Sequence, residues 1–585
     1  MGREILFLTR LKILPIVEKM KRIVFLFAGF DFTHAFDKAF ASVSAFDRTL
    51  VWAKGLCPES EIYVAVNDKT SSSVREALES SGTSAKTICR NDWNTKILLE
   101  QMSRSASQSS ADYVVYTLAD RPFLDAELSR KVIENHEEYL AEYTFADGYP
   151  LGFAPEVVDS GALGILSTLA SREDSDSGTK PVSASSIFSV MQKDINSFEI
   201  EAVIAPKDYR MLRLDFSCGT KANFLSCKSL YDSALDSKIP FNASSLTGLA
   251  EKSVKVQRTV PAFYNIQISA RCWTESVYSP YFAAFEKKYS SSPLDLSFNS
   301  SKIMRLEQFR ALVSSIAEFS ETAVVGLGEW GEPMCVDNIS DYISAVLEHP
   351  GLSVLVETDG ILIKQETVEK IAAAVKSAVP RTSGEAPVTW IVSVDAFTAE
   401  KYGALHPRFA TDEKGVQLLE CNSAFAKAVN AVSILETYFE GCVYPQMLRM
   451  NANEDELEQF YRFWHGKDSP SKGKIIIQKY DHFCGLMPDE KPADLSPLKR
   501  NPCWHLKRDM VVLWNGDVPF CREWILDNSV GNVFEMSVKA VWEKLEDFSQ
   551  KDIDCCNCLC SKTSLPDVRF DEKCGACDEY YTYNF

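Results

Sequence analysis

No uninterrupted apolar run of about 18 residues, the length a membrane-spanning helix needs, occurs anywhere in the 585 residues. The expectation is a soluble protein with no membrane partner. A surplus of positive charge is also lacking: 62 Lys and Arg stand against 81 Asp and Glu, a net charge of −19. Nonspecific binding to nucleic acid or anionic lipid draws on clustered Lys and Arg that release counterions, so neither is expected as a partner. An export signal is missing too, because MGREILFLTRLKILPIVEKM scatters Arg3, Arg10, Lys12, Glu18 and Lys19 among its apolar residues. The expected compartment is the cytoplasm. Met20 stands directly before KRIVFLFAGF, so residues 1–19 read as an upstream extension. No internal repeat of fixed period is present.

What is there is a long chain of ordinary globular composition, 46% hydrophobic and 24% charged, whose length points to three or four domains. Its 17 cysteines are unevenly spread, eight of them lying from Cys503 onward in the last 83 residues. In a reducing compartment dense cysteines more often ligate metals or clusters than form disulfides. The scattered ones, Cys272 apart, read mostly as small buried hydrophobes.

The fold class expected is α/β. KRIVFLFAGF, EIYVAVND and ADYVVYTLAD read as buried strands, and SSSVREALESSG between them as a helix, so a mostly parallel sheet is expected over residues 20–245. Residues 171–186, SREDSDSGTKPVSASS, read as an exposed loop within that block. A second alternation begins at PAFYNIQISA and passes through TAVVGLGEW, LSVLVETDG and TWIVSVDAF, with QETVEKIAAAVKSAV as a helix. AVNAVSILETYF and KGKIIIQKYDHF bring the βα count to about six, which fits a closed or partly open β/α barrel over residues 261–485. Residues 486–502 read as a linker to a cysteine-rich domain, 503–585.

In that last domain Cys503, Gly516 and Cys521 give C-x12-G-x4-C, and NGD between two apolar runs predicts a hairpin that brings the two sulfurs together. GNVFEMSVKAVWEKL predicts a turn and a helix. Then come Cys555, Cys556, Cys558, Cys560, Cys574 and Cys577, with two C-x2-C pairs. Thiolates are the soft ligands that iron-sulfur clusters and zinc require, and eight suffice for two four-iron clusters or two zinc ions. The arrangement resembles the SPASM domain, the auxiliary 4Fe-4S module of many peptide-modifying radical SAM enzymes. The resemblance implies one or two 4Fe-4S clusters on these eight cysteines. The second half departs from the family's C-x2-C-x5-C-x3-C, so the assignment of ligands to clusters stays open.

The barrel block resembles the radical SAM core, in which C-x3-C-x2-C after the first strand holds a 4Fe-4S cluster. Here Cys272, Ser276 and Ser279 take those positions. Trp330 to Pro333, with Gly331 and Glu332, resembles the family's GGEP region that contacts the methionyl amine. ETDG, Glu357 to Gly360, resembles its TNG turn, and Ser393 to Ala396 its SLD strand end. A thiol with a pKa of about 8.5 becomes a soft anionic iron ligand, whereas a serine hydroxyl stays protonated. One cysteine does not hold such a cluster, and Cys335, after GEPM, adds at most one more sulfur. SAM cleavage is therefore not expected. A loop cysteine at 272 and a helix-start carboxylate at Glu332 are the plain alternatives.

In the first block Asp120, at a strand end before Pro122, the stretch YPLGFAPEV, and Asp215 resemble the GT-A-type cytidylyltransferases. That resemblance implies Mg2+ held by Asp120 and Asp215. Where the family has a Gly-rich loop with Arg and Lys, AGFDFTHAFDKAF offers Lys38 alone, with Asp31 and Asp37 repelling phosphate. Capping of the next helix accounts for Asp120 equally well.

The whole order resembles the spiro-SPASM family: a nucleotidyltransferase-like domain, a degenerate radical SAM-like barrel and a SPASM tail. The resemblance implies an iron-sulfur protein derived from radical SAM enzymes, serving electron transfer or the binding of a peptide or protein partner, with an electron donor. A Mg2+-dependent nucleotidyltransferase and a zinc-stabilised interaction protein are the alternatives. Whether the chain is an enzyme stays open at this point.

Overall fold

The computed structural model describes residues 20–31, 33–171, 180–280, 302–382, 384–409, 420–483, 486–493, 503–523 and 529–546. The 1–19 extension, residues 172–179 of the 171–186 loop, and Cys555, Cys556, Cys558, Cys560, Cys574 and Cys577 lie outside the described residues.

The first sheet is built from β1 (Arg22–Phe27), β2 (Ile62–Val66), β3 (Lys86–Cys89), β4 (Tyr113–Leu118), β5 (Tyr143–Asp147), β6 (Glu156–Asp159) and β7 (Ile200–Ile204). Its order is β3-β2-β1-β4-β6-β5-β7, parallel except where β6 runs against β4 and β5. A strand alternates its side chains, and RIVFLF is apolar on both faces. Ile23, Phe25 and Phe27 enter one core while Val24 and Leu26 enter another on the opposite face. Each such side chain taken out of water contributes about 1.5–3 kcal/mol.

The second half contributes β8 (Phe263–Ile266), β9 (Thr274–Glu275), β10 (Ala323–Leu327), β11 (Leu352–Thr358), β12 (Val388–Ser393), β13 (Arg408–Phe409), β14 (Val443–Arg449), β15 (Ile476–Lys479), β16 (Asp509–Val512), β17 (Asp517–Pro519) and β18 (Ser529–Asn532). Seven of these form one all-parallel sheet in the order β15-β14-β12-β11-β10-β8-β16. Here the two faces differ. Tyr264, Ile266, Val325, Leu327, Val354, Val356, Trp390 and Val392 bury outward in one core with the helices Leu306–Ser320, Ile339–Leu347, Gln365–Ser377 and Cys421–Tyr438. Their alternates Asn265, Glu357, Ser393, Gln446 and Gln478 face the concave side, where they line a cavity. Phe263, Leu355, Ile391 and Ile476 share that face, so the cavity lining is mixed, with the polar side chains toward the strands' carboxyl ends.

Two expectations are corrected. AVNAVSILETYF is not a strand: it lies in the helix Cys421–Tyr438, with Ala424, Ala428, Ala431, Val432 and Leu435 buried at helical spacing, and the strand is β14 beyond it. The hairpin about NGD does not form a ladder either. A tight turn is present, Gly516 N donating to Leu513 O at 2.8 Å, but β16 leaves it to pair with β8, and β17 pairs with β18. The exposed edge of β8 gives the apolar residues Met510 and Val512 a place in the large core, which a free hairpin would not. The tail thus supplies a strand to the second sheet.

Candidate functional site

Loops at the carboxyl ends of β8, β10, β11 and β12 converge over the concave face around a cavity of about 260 Å3. The first loop carries Cys272, Ser276 and Ser279, and all three line the cavity, as do Gly331 and Glu332. The spacing read from sequence is therefore brought together in space. Protein contacts hold the loop. Its β9 pairs antiparallel with β13, Val277 N donates to Leu405 O at 2.9 Å, and Tyr278 Oη donates to Asp395 Oδ2 at 2.6 Å. Asp395 Oδ1 accepts from Leu448 N at 2.6 Å, and burial raises its carboxyl to about 6.

Glu332 is turned into the wall. Its Oε1 accepts from Met334 N at 2.9 Å and Thr358 Oγ1 at 2.8 Å, and its Oε2 from Asp359 N at 2.9 Å. The contact with Met334 caps the short turn Pro333–Cys335, so the helix-start role is real. Burial, reinforced by Asp359, pushes Glu332 well above the carboxylate range, and burial raises Asp359 to about 6. The same burial, with Glu332 and Asp359 close by, pushes the thiols of Cys272 and Cys335 up; Cys335 also feels Cys272. Gly331 allows this close loop contact, since a Cβ there would meet Ser269 O at 2.0 Å.

One cavity residue was not legible beforehand. His406 is 2% exposed, neither ring nitrogen has a hydrogen-bond partner, and it stacks on Tyr402 at 4.2 Å with Tyr278 edge-on at 5.9 Å. Burial holds its imidazole down, at about 3. A lone His in LHPRF carries no motif, and only the β9–β13 pairing brings it under the loop.

The floor of the cavity belongs partly to the tail. Arg508 and Asp509 line it, as do Arg522 and Glu523, directly after Cys521. Asp509 accepts from His505 Nδ1 and Arg508 Nε, both at 2.6 Å; burial opposes its ionisation, but Arg508 and His505 hold it below the usual range. Cys503 is buried and Cys521 half-buried, neither is in a disulfide with a described cysteine, and both lie against the large core. Two soft donors shielded by apolar neighbours fit an iron-sulfur cluster. Gly516, at φ +88, is required where Phe534 Cδ2 would lie 2.4 Å from a Cβ. Among the described residues no group of three or more His, Cys, Asp or Glu is placed to hold a metal ion.

In the first half Asp120 and Asp215 also come together. Burial raises Asp120 to about 7, Arg121 opposing and Asp215 adding to it; burial raises Asp215 as well. Each keeps one buried oxygen, Oδ1, without a partner. These hard oxygens fit a divalent cation. Asp120 does not cap the next helix: Asp125 does, accepting from Glu127 N and Leu128 N. In the loop after β1, Asp31 pairs with Lys69 at 3.2 Å and Asp37 with His34 at 2.8 Å.

The tail defines the class first. The SPASM family, an iron-sulfur cluster-binding domain, matches residues 503–562. The chain belongs to the same family as an uncharacterized protein of Treponema pallidum (strain Nichols), to which it is 37% identical over 404 residues, 68% of this chain and 98% of that one. Among solved structures, a cytidylyltransferase from Leptospira borgpetersenii serovar Hardjo-bovis (strain JB197) is 14% identical with a TM-score of 0.33, covering 41% of this chain and 98% of its own. Streptococcus suis SuiB bound to precursor peptide SuiA is 13% identical with a TM-score of 0.37, covering 61% and 74%. Among the described residues no helix is long and apolar enough to cross a membrane.

Proposed function

We propose that the chain is an iron-sulfur protein whose cluster chemistry resides in the SPASM module, and whose β/α sheet keeps a ligand cavity without the cluster that cleaves SAM. The observation that carries this reading is the loop of Cys272, Ser276 and Ser279. It presents one thiol and two hydroxyls to the cavity, and Tyr278–Asp395 and the β9–β13 ladder fix its position. Hydroxyls stay protonated where thiols ionise, so the loop lacks the donors for a four-iron cluster. Cys503 and Cys521, with the six cysteines from Cys555 to Cys577, would hold one or two 4Fe-4S clusters, which supply one-electron transfer when bound. A peptide or protein partner and an electron donor belong to the same reading, as does a division into units at 20–245, 261–485 and 503–585. Anaerobic reconstitution tests it: a brown protein containing iron and sulfide supports the reading, and a colourless zinc protein defeats it.

A second reading rests on the unpartnered Oδ1 atoms of Asp120 and Asp215. They favour a Mg2+-dependent nucleotidyltransferase-like site. Calorimetric titration of the full chain with CTP and Mg2+ tests it, heat of binding lost in Asp120→Asn supporting it and no heat in the native protein defeating it.

A further inference from the structure

Arg258 precedes β8, far in sequence from the SPASM module, yet its side chain is spent on that module. It is 7% exposed. Nε donates to Leu506 O at 3.3 Å and Nη2 to Trp542 O at 2.5 Å, across 248 and 284 residues of chain. Its guanidinium lies 3.4 Å from the centre of the Trp542 ring, and Trp542 Nε1 donates in return to Thr259 O at 2.7 Å. A planar fork that stacks and donates at once is a role lysine does not fill. Burying a guanidinium is costly, and burial lowers this one to about 9. Such an arrangement does more than fill space.

The places it joins matter. Leu506 lies three residues after Cys503, and Trp542 sits in the last turn of the helix Val538–Lys544, from which the chain runs on toward Cys555. A second arginine acts on the same segment: Arg213, from the first half, lies 4.3 Å from the centre of the Trp504 ring, and Arg508 lies 3.5 Å from it. Trp504 is the residue after Cys503. The backbone that carries the first thiolate is therefore held at Trp504 and at Leu506 by side chains from outside the module.

We propose that Arg258, assisted by Arg213, is a positioning residue for the iron-sulfur ligand Cys503: it ties the Cys503 segment to the end of the Val538–Lys544 helix in one geometry, so that this thiolate meets the cluster preorganised. The inference rests on the iron-sulfur reading above. Groups that orient metal ligands from behind typically change metal retention about 10–100-fold when removed.

The test uses the full chain, reconstituted anaerobically, as native protein and as Arg258→Met, Arg258→Lys, Arg213→Ala and, as a surface control, Lys207→Ala. Iron per chain and the rate of iron loss to a chelator are read beside the far-ultraviolet circular dichroism. Arg258→Met is expected to keep its secondary structure and lose iron about tenfold faster, with Arg258→Lys between it and the native protein and Lys207→Ala unchanged. Arg213→Ala, at a half-buried position, carries the test if Arg258→Met does not fold, and is expected to lose iron faster in the same direction. Native iron content and native release rates in the folded arginine variants overturn the inference and leave the iron-sulfur reading standing. A native protein that takes up no iron overturns that reading itself.

Discussion

His406 shows how a residue without a motif acquires a consequence from packing. Its imidazole takes a proton near pH 6.5 in the unfolded chain but only near 3 in the fold. The unfolded state then binds more protons throughout that window, so this residue's share of stability falls as pH drops from about 6.5 toward 3. Buried Asp395, raised to about 6, works in the opposite direction between about 4 and 6. The histidine is therefore best isolated by difference. His406→Phe, which keeps the stack on Tyr402, is expected to gain about 2 kcal/mol on the native protein between pH 7.5 and pH 5, at about 1.4 kcal/mol per pKa unit. Urea unfolding at the two pH values measures it, and a pH-independent difference contradicts it. Cys272, Ser276 and Ser279 were legible because their spacing follows one strand end. His406 and the Tyr278–Asp395 bond were not, because they join segments more than a hundred residues apart, as the separation of 117 for Tyr278 and Asp395 records.

At the scale of elements, short dense apolar runs bounded by turn residues are legible as strands buried on both faces. KRIVFLFAGF, EIYVAVND, ADYVVYTLAD and TWIVSVDAF all contain the strands expected of them. AVNAVSILETYF is a helix that its short apolar run does not reveal, because the run has no clear period and the helix face begins upstream of it, at Ala424. The NGD turn was legible, but the partner of β16 was not: the local signal proposes a hairpin, and the vacant edge of β8 wins. Loop approach sets a further requirement. Gly331→Ala places a methyl where Ser269 O stands, and a destabilisation of about 2–3 kcal/mol is expected from the forced backbone shift. Urea denaturation checks it, and a change below about 0.5 kcal/mol would mean that the two loops separate freely.

For the molecule as a whole, the joining of the parts was not readable from the sequence. The tail enters the second sheet through β16, and Asp509 at its start, with Arg508 just before it, reaches the cavity floor. The first half meets the second at His34, whose Nε2 lies 3.0 Å from Glu321 Oε2, and at Lys221, 3.1 Å from Glu321 Oε1. A cavity bordered by the SPASM strand, beneath a loop that carries one thiol and two hydroxyls, puts the proposal in a single contrast: cluster present, SAM cleavage absent. The direct measurement is 5′-deoxyadenosine released by the anaerobically reconstituted, chemically reduced full chain supplied with SAM. The account predicts iron-bearing protein with no 5′-deoxyadenosine above the protein-free blank. Release that scales with protein concentration would contradict it.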